Sequence, residues 1–245
     1  MDSGYYAAMT GLVARTQALD MAATNLANAQ TPGYRAEREY FRSVLMGPDA
    51  ADSQLGRTVN DFGLLGGDRL SNLQGALQST GNPFDLAIEG DGYFVIQTAN
   101  GIRYTRDGSF RRSTDGRLVT AAGEPVLSTA SKPIQIPPGE VSIGAEGNLS
   151  VAGGNVANLA VVSFVPGTQL TAEGANRYVA PDGVQPTASK NSSVHEGALE
   201  SANQDMVQGS LELIVMQRQA EMMQKALTVF HTEFNKFATE DLPRV

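Results

Sequence analysis

The chain has 245 residues, of which 41% are hydrophobic and 18% are charged, so it is long and apolar enough to bury a sizeable core. It contains no cysteine and two histidines, which excludes disulfides and thiolate sites and leaves little material for a zinc site or a serine–histidine–aspartate triad. The net charge of −8 argues against non-specific binding to nucleic acid or to anionic membranes. No apolar run is long enough to cross a bilayer, and the first residues lack the pattern of a secretory signal peptide.

The first segment, over about residues 5–26, is predicted to form a helix because small or apolar residues recur at alternating steps of four and three. This spacing gives the narrow apolar seam that is typical of coiled coils. Pro32 disfavours helical geometry at the residue before it, and Gly33 permits a sharp turn, so the helix should end near residues 28–30. The predicted seam positions are Tyr5, Met9, Leu12, Thr16, Leu19, Ala23 and Leu26.

The middle of the chain, residues 34–196, has a different hydrophobic pattern. Short runs of β-branched and aromatic residues are separated by turn residues, and Asn100–Gly101 is typical of a tight hairpin. We therefore predict an all-β domain of eight or more short strands over 81–196, after a linker over 34–80. Within this linker, residues 47–67 are polar and lack periodicity, which predicts a long loop or extension, or a segment that becomes ordered only against a neighbour.

The C-terminal segment, residues 197–245, repeats the seamed pattern at greater length. Its seam positions follow alternating steps of three and four, in a run that chance composition seldom produces. Gly209 is the weak point, since glycine costs about 1 kcal/mol relative to alanine in a helix interior, and a kink is possible there. The predicted seam positions are Leu199, Ala202, Met206, Gly209, Leu213, Met216, Ala220, Met223, Leu227, Phe230, Phe234 and Phe237.

Two predicted helices, each with a narrow apolar seam, therefore flank one β domain, which predicts an α+β fold. The N-terminal helix (residues 1–33) and the C-terminal helix are predicted to pack as a coiled-coil-like pair. Two helices leave part of each seam uncovered, so further partners are expected. If identical neighbours supply them through a head-to-tail contact that does not close, the product is a helical filament. The alternative is an intramolecular helical hairpin packed on the β domain, and the pattern alone does not separate the two.

The polar residues do not form a recognisable catalytic, cofactor-binding or metal site. Five aspartates are predicted turn residues rather than calcium ligands or catalytic carboxylates, since four of them precede glycine. His195 and His231 lack the companions of a metal or catalytic site. A group of arginines could face an acidic neighbouring subunit or form the solvated face of a hairpin. The aspartates are Asp85, Asp91, Asp107, Asp115 and Asp182, and the arginines are Arg103, Arg106, Arg111, Arg112 and Arg117.

Several motifs resemble those of the flagellar rod and hook family of axial proteins. Residues 25–34 (NLANAQTPGY) match the N-terminal signature of that family, and residues 89–94 (EGDGYF) match its central E-G-x-G-[FY]-F element. Residues 104–120 are similar to the hairpin that follows this element, and residues 199–203 and 216–221 are similar to the C-terminal helix signature. The motif residues of interest are Asn25, Leu26, Asn28, Thr31, Pro32, Gly33, Tyr34, Glu89, Gly90, Gly92, Tyr93, Phe94, Leu199, Glu200, Asn203, Gln217 and Arg218.

The resemblance implies a structural, self-assembling subunit of the bacterial flagellar basal-body rod, the drive shaft that transmits torque from motor to hook. It implies no catalytic activity and no cofactor. The implied partners are identical and related rod subunits, which would be contacted through the terminal helices. It also implies export by the flagellar type III machinery without a cleaved signal peptide, and a location in the rod across the periplasm. No nucleic acid and no membrane insertion are expected.

Within the family, the opening residues MDSGYYAAM are more similar to the proximal-rod F type than to the distal-rod G type. One alternative is a distal-rod or hook-type subunit. An alternative from another class is a β-sandwich module that binds carbohydrate or acts on peptidoglycan.

Three expectations concern how such a subunit would work. The N-terminal motif should fix the angle at which the chain leaves the first helix, although it could also be an ordinary helix stop. Tyr93, Phe94 and Phe110 are predicted core residues, with a subunit interface as the alternative. We also hypothesise that both terminal segments are largely disordered in the free monomer and fold into packed helices on assembly.

Overall fold

A computed structural model describes residues 2–42 and 64–236 of the chain. Most of the stretch 47–67, predicted from the sequence to be a loop or an extension, lies outside these residues. The end of this stretch is described, and it belongs to a strand that begins at Leu64.

The chain divides into two compact units, each with its own contacts. The first unit contains the two terminal helices and the strand pair that follows the first helix, and the second contains Asn28–Ala36 and Leu70–Asp205. The predicted α+β class is confirmed at this level, with a central β-rich region of short strands and a helix near each end. The predicted domain boundaries after residues 33, 80 and 196 remain predictions.

The N-terminal helix, α1, spans Asp2–Ala27 and contacts both the C-terminal helix and β1 (Glu37–Arg42). Its buried side chains include Ala14, Ala18 and Ala22, so the covered face is a row of small residues at steps of four. The predicted seam lies beside this row. Its side chains at Leu12, Leu19 and Leu26 are half-buried, and those at Met9, Thr16 and Ala23 are exposed.

The C-terminal helix, α2, spans Met206–Lys236 and continues without a break through Gly209. It begins later than the sequence predicted, because Leu199 pairs with Gln78 in a β ladder instead. Within α2 most of the predicted seam is covered, since Gly209 and Leu227 are buried and Leu213, Met216, Ala220 and Met223 are half-buried. Met206, the first residue of the helix, is instead 47% exposed. A second set of apolar side chains, here called the outer stripe, is exposed and consists of Val207, Leu211, Ile214, Val215, Met222 and Val229.

Some seam positions cannot be placed. The side chains of Tyr5, Phe230 and Phe234, and the whole of Phe237, lie outside the described part of the chain. Over the described residues, neither helix is long and apolar enough to cross a membrane.

The largest sheet of the central region has six strands, and its neighbouring strands are antiparallel. The hairpin predicted at Asn100–Gly101 is confirmed as the connection between two central strands. In spatial order the strands are β13 (Thr171–Gly174), β14 (Arg177–Val179), β6 (Gly101–Thr105), β5 (Tyr93–Thr98), β12 (Val161–Ser163) and β15 (Thr187–Ala188).

The remaining ladders are smaller. A three-stranded sheet contains β11 (Gly154–Asn158), β10 (Asn148–Val151) and β9 (Val141–Ile143). The two-stranded ladders are β3 (Leu77–Ser79) with β17 (Ala198–Glu200), β4 (Leu86–Gly90) with β16 (Ser192–Glu196), β7 (Arg111–Arg112) with β8 (Leu118–Val119), and β1 with β2 (Leu64–Leu70).

The β region is held by two apolar clusters. In the larger one, the rings of Phe94 and Phe110 meet edge to face at 5.1 Å, and both side chains are buried. Their predicted place in the core is therefore confirmed. Tyr93 is half-buried and lies edge to face with Phe164 and Tyr178, at the border of the second cluster.

Candidate functional site

The N-terminal motif forms a tight turn after α1. The Thr31 amide donates to the Asn28 carbonyl at 2.9 Å, and the Tyr34 amide donates to the Thr31 carbonyl at 3.2 Å. The Thr31 hydroxyl donates to the Asn28 side-chain oxygen at 3.3 Å. Gly33 has a φ of +67°, and a Cβ atom at this position would lie 2.3 Å from the backbone carbon of Arg106. The turn therefore requires glycine for both its conformation and its packing.

The C-terminal motif is hydrogen-bonded to this turn. The Gly33 amide donates to the Glu200 carbonyl at 2.7 Å, and the Asn203 amide donates to the Tyr34 carbonyl at 3.3 Å. The Asn203 side chain accepts from the Ala36 amide at 2.7 Å and donates to the carbonyls of Ser71 and Leu73. Two segments that lie about 170 residues apart in sequence are thus held side by side in the second unit.

A buried ion cluster lies at the centre of these contacts. The carboxylate of Glu200 is 3.3 Å from Arg35 Nη2 and 3.0 Å from Arg106 Nη1. Glu200 is 1% exposed and each arginine is 3% exposed, so all three charges are removed from water. Such a cluster is tolerated only when hydrogen bonds satisfy the remaining polar atoms.

Backbone groups supply most of those hydrogen bonds. The Gly75 amide donates to Glu200 Oε1 at 2.9 Å. Arg106 donates to the carbonyls of Ile88 at 3.0 Å and Gly90 at 2.5 Å, and its guanidinium lies 5.4 Å from the centre of the Tyr93 ring. The Arg35 guanidinium donates to the Ser71 and Leu73 carbonyls. The N-terminal, central, hairpin and C-terminal motifs therefore meet at this cluster.

The surroundings of the cluster shift the pKa values of several of its groups and neighbours. Burial lowers the pKa of the Arg106 guanidinium, against the opposing effect of the Glu200 carboxylate. Burial raises the pKa of the Tyr93 hydroxyl, and the charges of Arg35 and Arg106 partly oppose this increase. Burial also raises the pKa of Tyr178, whose hydroxyl accepts a hydrogen bond from the Arg35 amide at 3.2 Å. Each shift follows from the low water content of this region.

Asn25 makes a comparable connection in the first unit. Its side chain is 8% exposed and bonds twice to the backbone of Glu37, donating at 2.7 Å and accepting at 3.0 Å. The Asn25 side chain thereby provides hydrogen-bond partners for both the backbone amide and the backbone carbonyl of Glu37, as a neighbouring β-strand would.

The other predicted motif residues lie in varied places. Glu89 is exposed and lies 2.7 Å from His195. Gly92 has a φ of +155° and packs against Val161. Leu26, Pro32 and Leu199 are half-buried, and Gln217 and Arg218 are exposed on α2. These five side chains are not part of the buried ion cluster.

The arginines grouped in the sequence separate in the fold. Arg103 pairs with Glu173 at 2.5 Å near the surface, whereas Arg106 is buried with Glu200. Arg111, Arg112 and Arg117 are exposed. The special role of Arg106 was not apparent from composition, and Arg35 was not selected from the sequence at all. The sequence signal was that Arg106 lies within the hairpin motif at residues 104–120 and that Arg35 directly follows Tyr34, the last residue of the N-terminal motif.

The aspartates behave as turn residues where their contacts are described. Asp85 accepts hydrogen bonds from Thr80 and Asn82, and Asp107 accepts from the amide and hydroxyl of Ser109. Over residues 2–42 and 64–236, no group of three or more histidine, aspartate and glutamate side chains is arranged to hold a metal ion.

Comparison with known proteins identifies the family. Residues 6–35 match the family model described as "Flagella basal body rod protein", and residues 87–151 match the one described as "Flagellar hook protein FlgE/F/G D1 domain". Both matched regions contribute residues to the buried ion cluster, Arg35 from the first and Arg106 from the second.

Relatives match along nearly the whole chain. The flagellar basal-body rod protein FlgF of Caulobacter vibrioides is 32% identical over 247 residues and covers 100% of both chains. FlgF of Mesorhizobium japonicum is 33% identical over 89% of both chains. FlgG of Bacillus subtilis is 32% identical over 91% of this chain and 93% of its own. The chain therefore belongs to the flagellar basal-body rod protein family.

Proposed function

We propose that the chain is a structural, self-assembling subunit of the flagellar basal-body rod, which transmits torque from motor to hook. Family membership over the whole chain length supports this role. Rod proteins form a structural class and not an enzyme class, and we propose no reaction for this chain. The relatives above are named as rod proteins, so the carbohydrate-module alternative gains no support from them.

The observation that carries the proposal is the outer stripe of α2. At 3.6 residues per turn, this stripe lies about 160° around the helix from the seam. Its side chains are 49–71% exposed, from Ile214 to Val207. A helix with apolar residues on two opposite sides buries only one side against a single neighbour, so the other side is available for a second.

We infer that the seam joins α1 and α2 as a coiled-coil-like pair, and that the outer stripe packs on neighbouring rod subunits. The contact between α1 and α2 supports the first part. The exposed Val13 on α1, at 51%, would add to the intersubunit surface. Identical and related rod subunits are the proposed partners.

The buried ion cluster suits a subunit that carries mechanical load. It pairs Arg35, in the segment that follows α1, with Glu200, in the segment that precedes α2, and the hydrogen bonds of the Glu200 carbonyl and the Asn203 side chain join the same two segments. A rigid connection of this kind would let a torque applied to one segment reach the other without local unfolding.

Within the rod, we propose the proximal F type. Relatives named FlgF occur at 33% and 32% identity over most of the chain. A distal-rod role remains a second candidate because the FlgG relative of Bacillus subtilis is also 32% identical. The position of the labelled protein in micrographs of purified basal bodies separates the two.

We further propose a position in the part of the rod that crosses the periplasm, and export through the flagellar type III machinery. The family resemblance supports both proposals. Secretion that stops in a strain without that machinery, with the protein retained at full length, is the expected result.

The variant Leu211→Glu tests the interface directly. It places a charge in the middle of the outer stripe, so we expect loss of rod assembly and of swimming, with monomer stability changed by about 0.5 kcal/mol or less because the site is exposed. The matched control is Gln224→Glu, which adds the same charge to the same helix outside the stripe. Normal assembly of the Leu211 variant, judged from basal-body micrographs, would refute the proposed interface.

A further inference from the structure

A cavity of about 230 Å³ in the second unit has the two arginines of the buried ion cluster in its wall. Arg35 and Arg106 line it together with Tyr93, Asn72 and Asp91, and the loop 163–170 forms another side. The cavity is large enough for a small molecule of a few non-hydrogen atoms, and its wall is polar.

The buried charges near this wall do not balance. Arg35 and Arg106 bring two positive charges, and Glu200 brings one negative charge to neutralise them. The Nε atoms of both arginines are also buried without a hydrogen-bond partner among the described residues. Buried guanidinium groups normally have all their donors satisfied, whereas each of these arginines has one N–H donor that no described residue uses.

Among the described residues that line the cavity, Asp91 is the one that is acidic. Its side chain is exposed, so water and salt screen its charge more strongly than they screen the buried arginines. Tyr93 lines the cavity together with Arg35, Arg106 and Asp91.

We propose that this cavity is a binding site for a small oxyanion of the carboxylate or sulfate type, held by the surplus positive charge of Arg35 and Arg106. Guanidinium groups suit such ligands because their planar N–H donors match two oxygens at once. The proposal is independent of the rod function, since it concerns the monomer.

The test uses the full chain at constant ionic strength. Sulfate and acetate are titrated against chloride, with calorimetry and the thermal unfolding midpoint as readouts. We expect saturable binding of sulfate and a rise in the midpoint that chloride does not produce. A response to sulfate and acetate no greater than the response to chloride would overturn the proposal.

Two substitutions at the exposed wall change the charge without touching the buried cluster. Asp91→Asn removes the competing carboxylate and should tighten sulfate binding by about threefold or more, and Asn72→Asp adds one and should weaken it by a similar factor. Matched controls away from the cavity are Asp182→Asn and Asn148→Asp, which should leave the affinity unchanged. Equal effects of the cavity and control variants would show that sulfate acts on the overall charge, and the site would be refuted.

A carboxylate could come from a free acid or from an acidic side chain of a second copy, since the chain has 26 aspartate and glutamate residues. Assembled protein separates these sources. Sulfate binding that persists after assembly indicates a free ligand. Binding that is present in the monomer and lost on assembly indicates that a neighbouring side chain fills the cavity.

Discussion

Gly33 shows how one residue can determine the path of the chain. Its left-handed φ of +67° could in principle be adopted by another residue at a modest cost. The close approach of the Arg106 backbone, 2.3 Å from where a Cβ would lie, makes substitution far more costly. The motif therefore requires glycine chiefly because of a contact that is distant in sequence.

The variant Gly33→Ala should lower the free energy of unfolding by about 3 kcal/mol, from backbone strain plus overpacking. Gly81→Ala is the matched control, because Gly81 has a similar φ of +73° with no atom within 4 Å of the added Cβ. The control should lose about 1 kcal/mol. Urea unfolding measures both, and equal losses would show that the contact with Arg106 has no energetic effect.

The terminal helices are elements whose apolar surface exceeds what one chain covers. In α1 the buried row consists of alanines, and in α2 the outer stripe leaves large side chains such as Val207 and Leu211 in water. Helical stability in proteins comes mostly from the packing of an apolar face, so these helices gain stability when neighbours cover the rest.

We therefore expect the free monomer to have less helix than the assembled protein, as hypothesised for the terminal segments. Circular dichroism of dilute monomer and of assembled material would show an increase in helix on assembly, and limited proteolysis of the monomer would cut first within the helical spans Asp2–Ala27 and Met206–Lys236. Dilute monomer with fully formed, protease-resistant ends would contradict the hypothesis.

The buried ion cluster belongs to the scale of the whole molecule, because Arg35, Arg106 and Glu200 come from distant parts of the chain. No local pattern could bring them together. The β3–β17 ladder and the turn at Gly33 place Glu200 between the two arginines. The cluster thus forms only when the tertiary fold is complete.

The variant Glu200→Gln should lower the free energy of unfolding by about 3–5 kcal/mol, because it leaves two buried guanidinium groups without a counter-charge. Glu124→Gln removes the partner of Arg177 at a less buried site and should cost about 1 kcal/mol or less. Denaturant unfolding of both proteins gives the comparison. A loss for the Glu200 variant no larger than that of the control would mean that the cluster does not stabilise the fold.

Much of the fold was predictable where local chemistry decides it. The stop after α1 follows from Thr31-Pro32-Gly33, and the β5–β6 hairpin follows from Asn100–Gly101. The start of α2 was not predictable in this way, because Leu199 fits the helical period but its backbone pairs with Gln78. Periodicity cannot reveal a competing strand partner that lies more than a hundred residues away.

For the candidate site, the sequence alone showed which motifs resemble those of the family and in what order they occur, since each motif is a short run of consecutive residues. The tertiary structure alone decided that Arg106 is buried while Arg103 is paired at the surface, and that Arg35 shares the carboxylate of Glu200. The physical reason is that burial and charge pairing depend on which distant segments meet, and a linear order of residues does not contain that information.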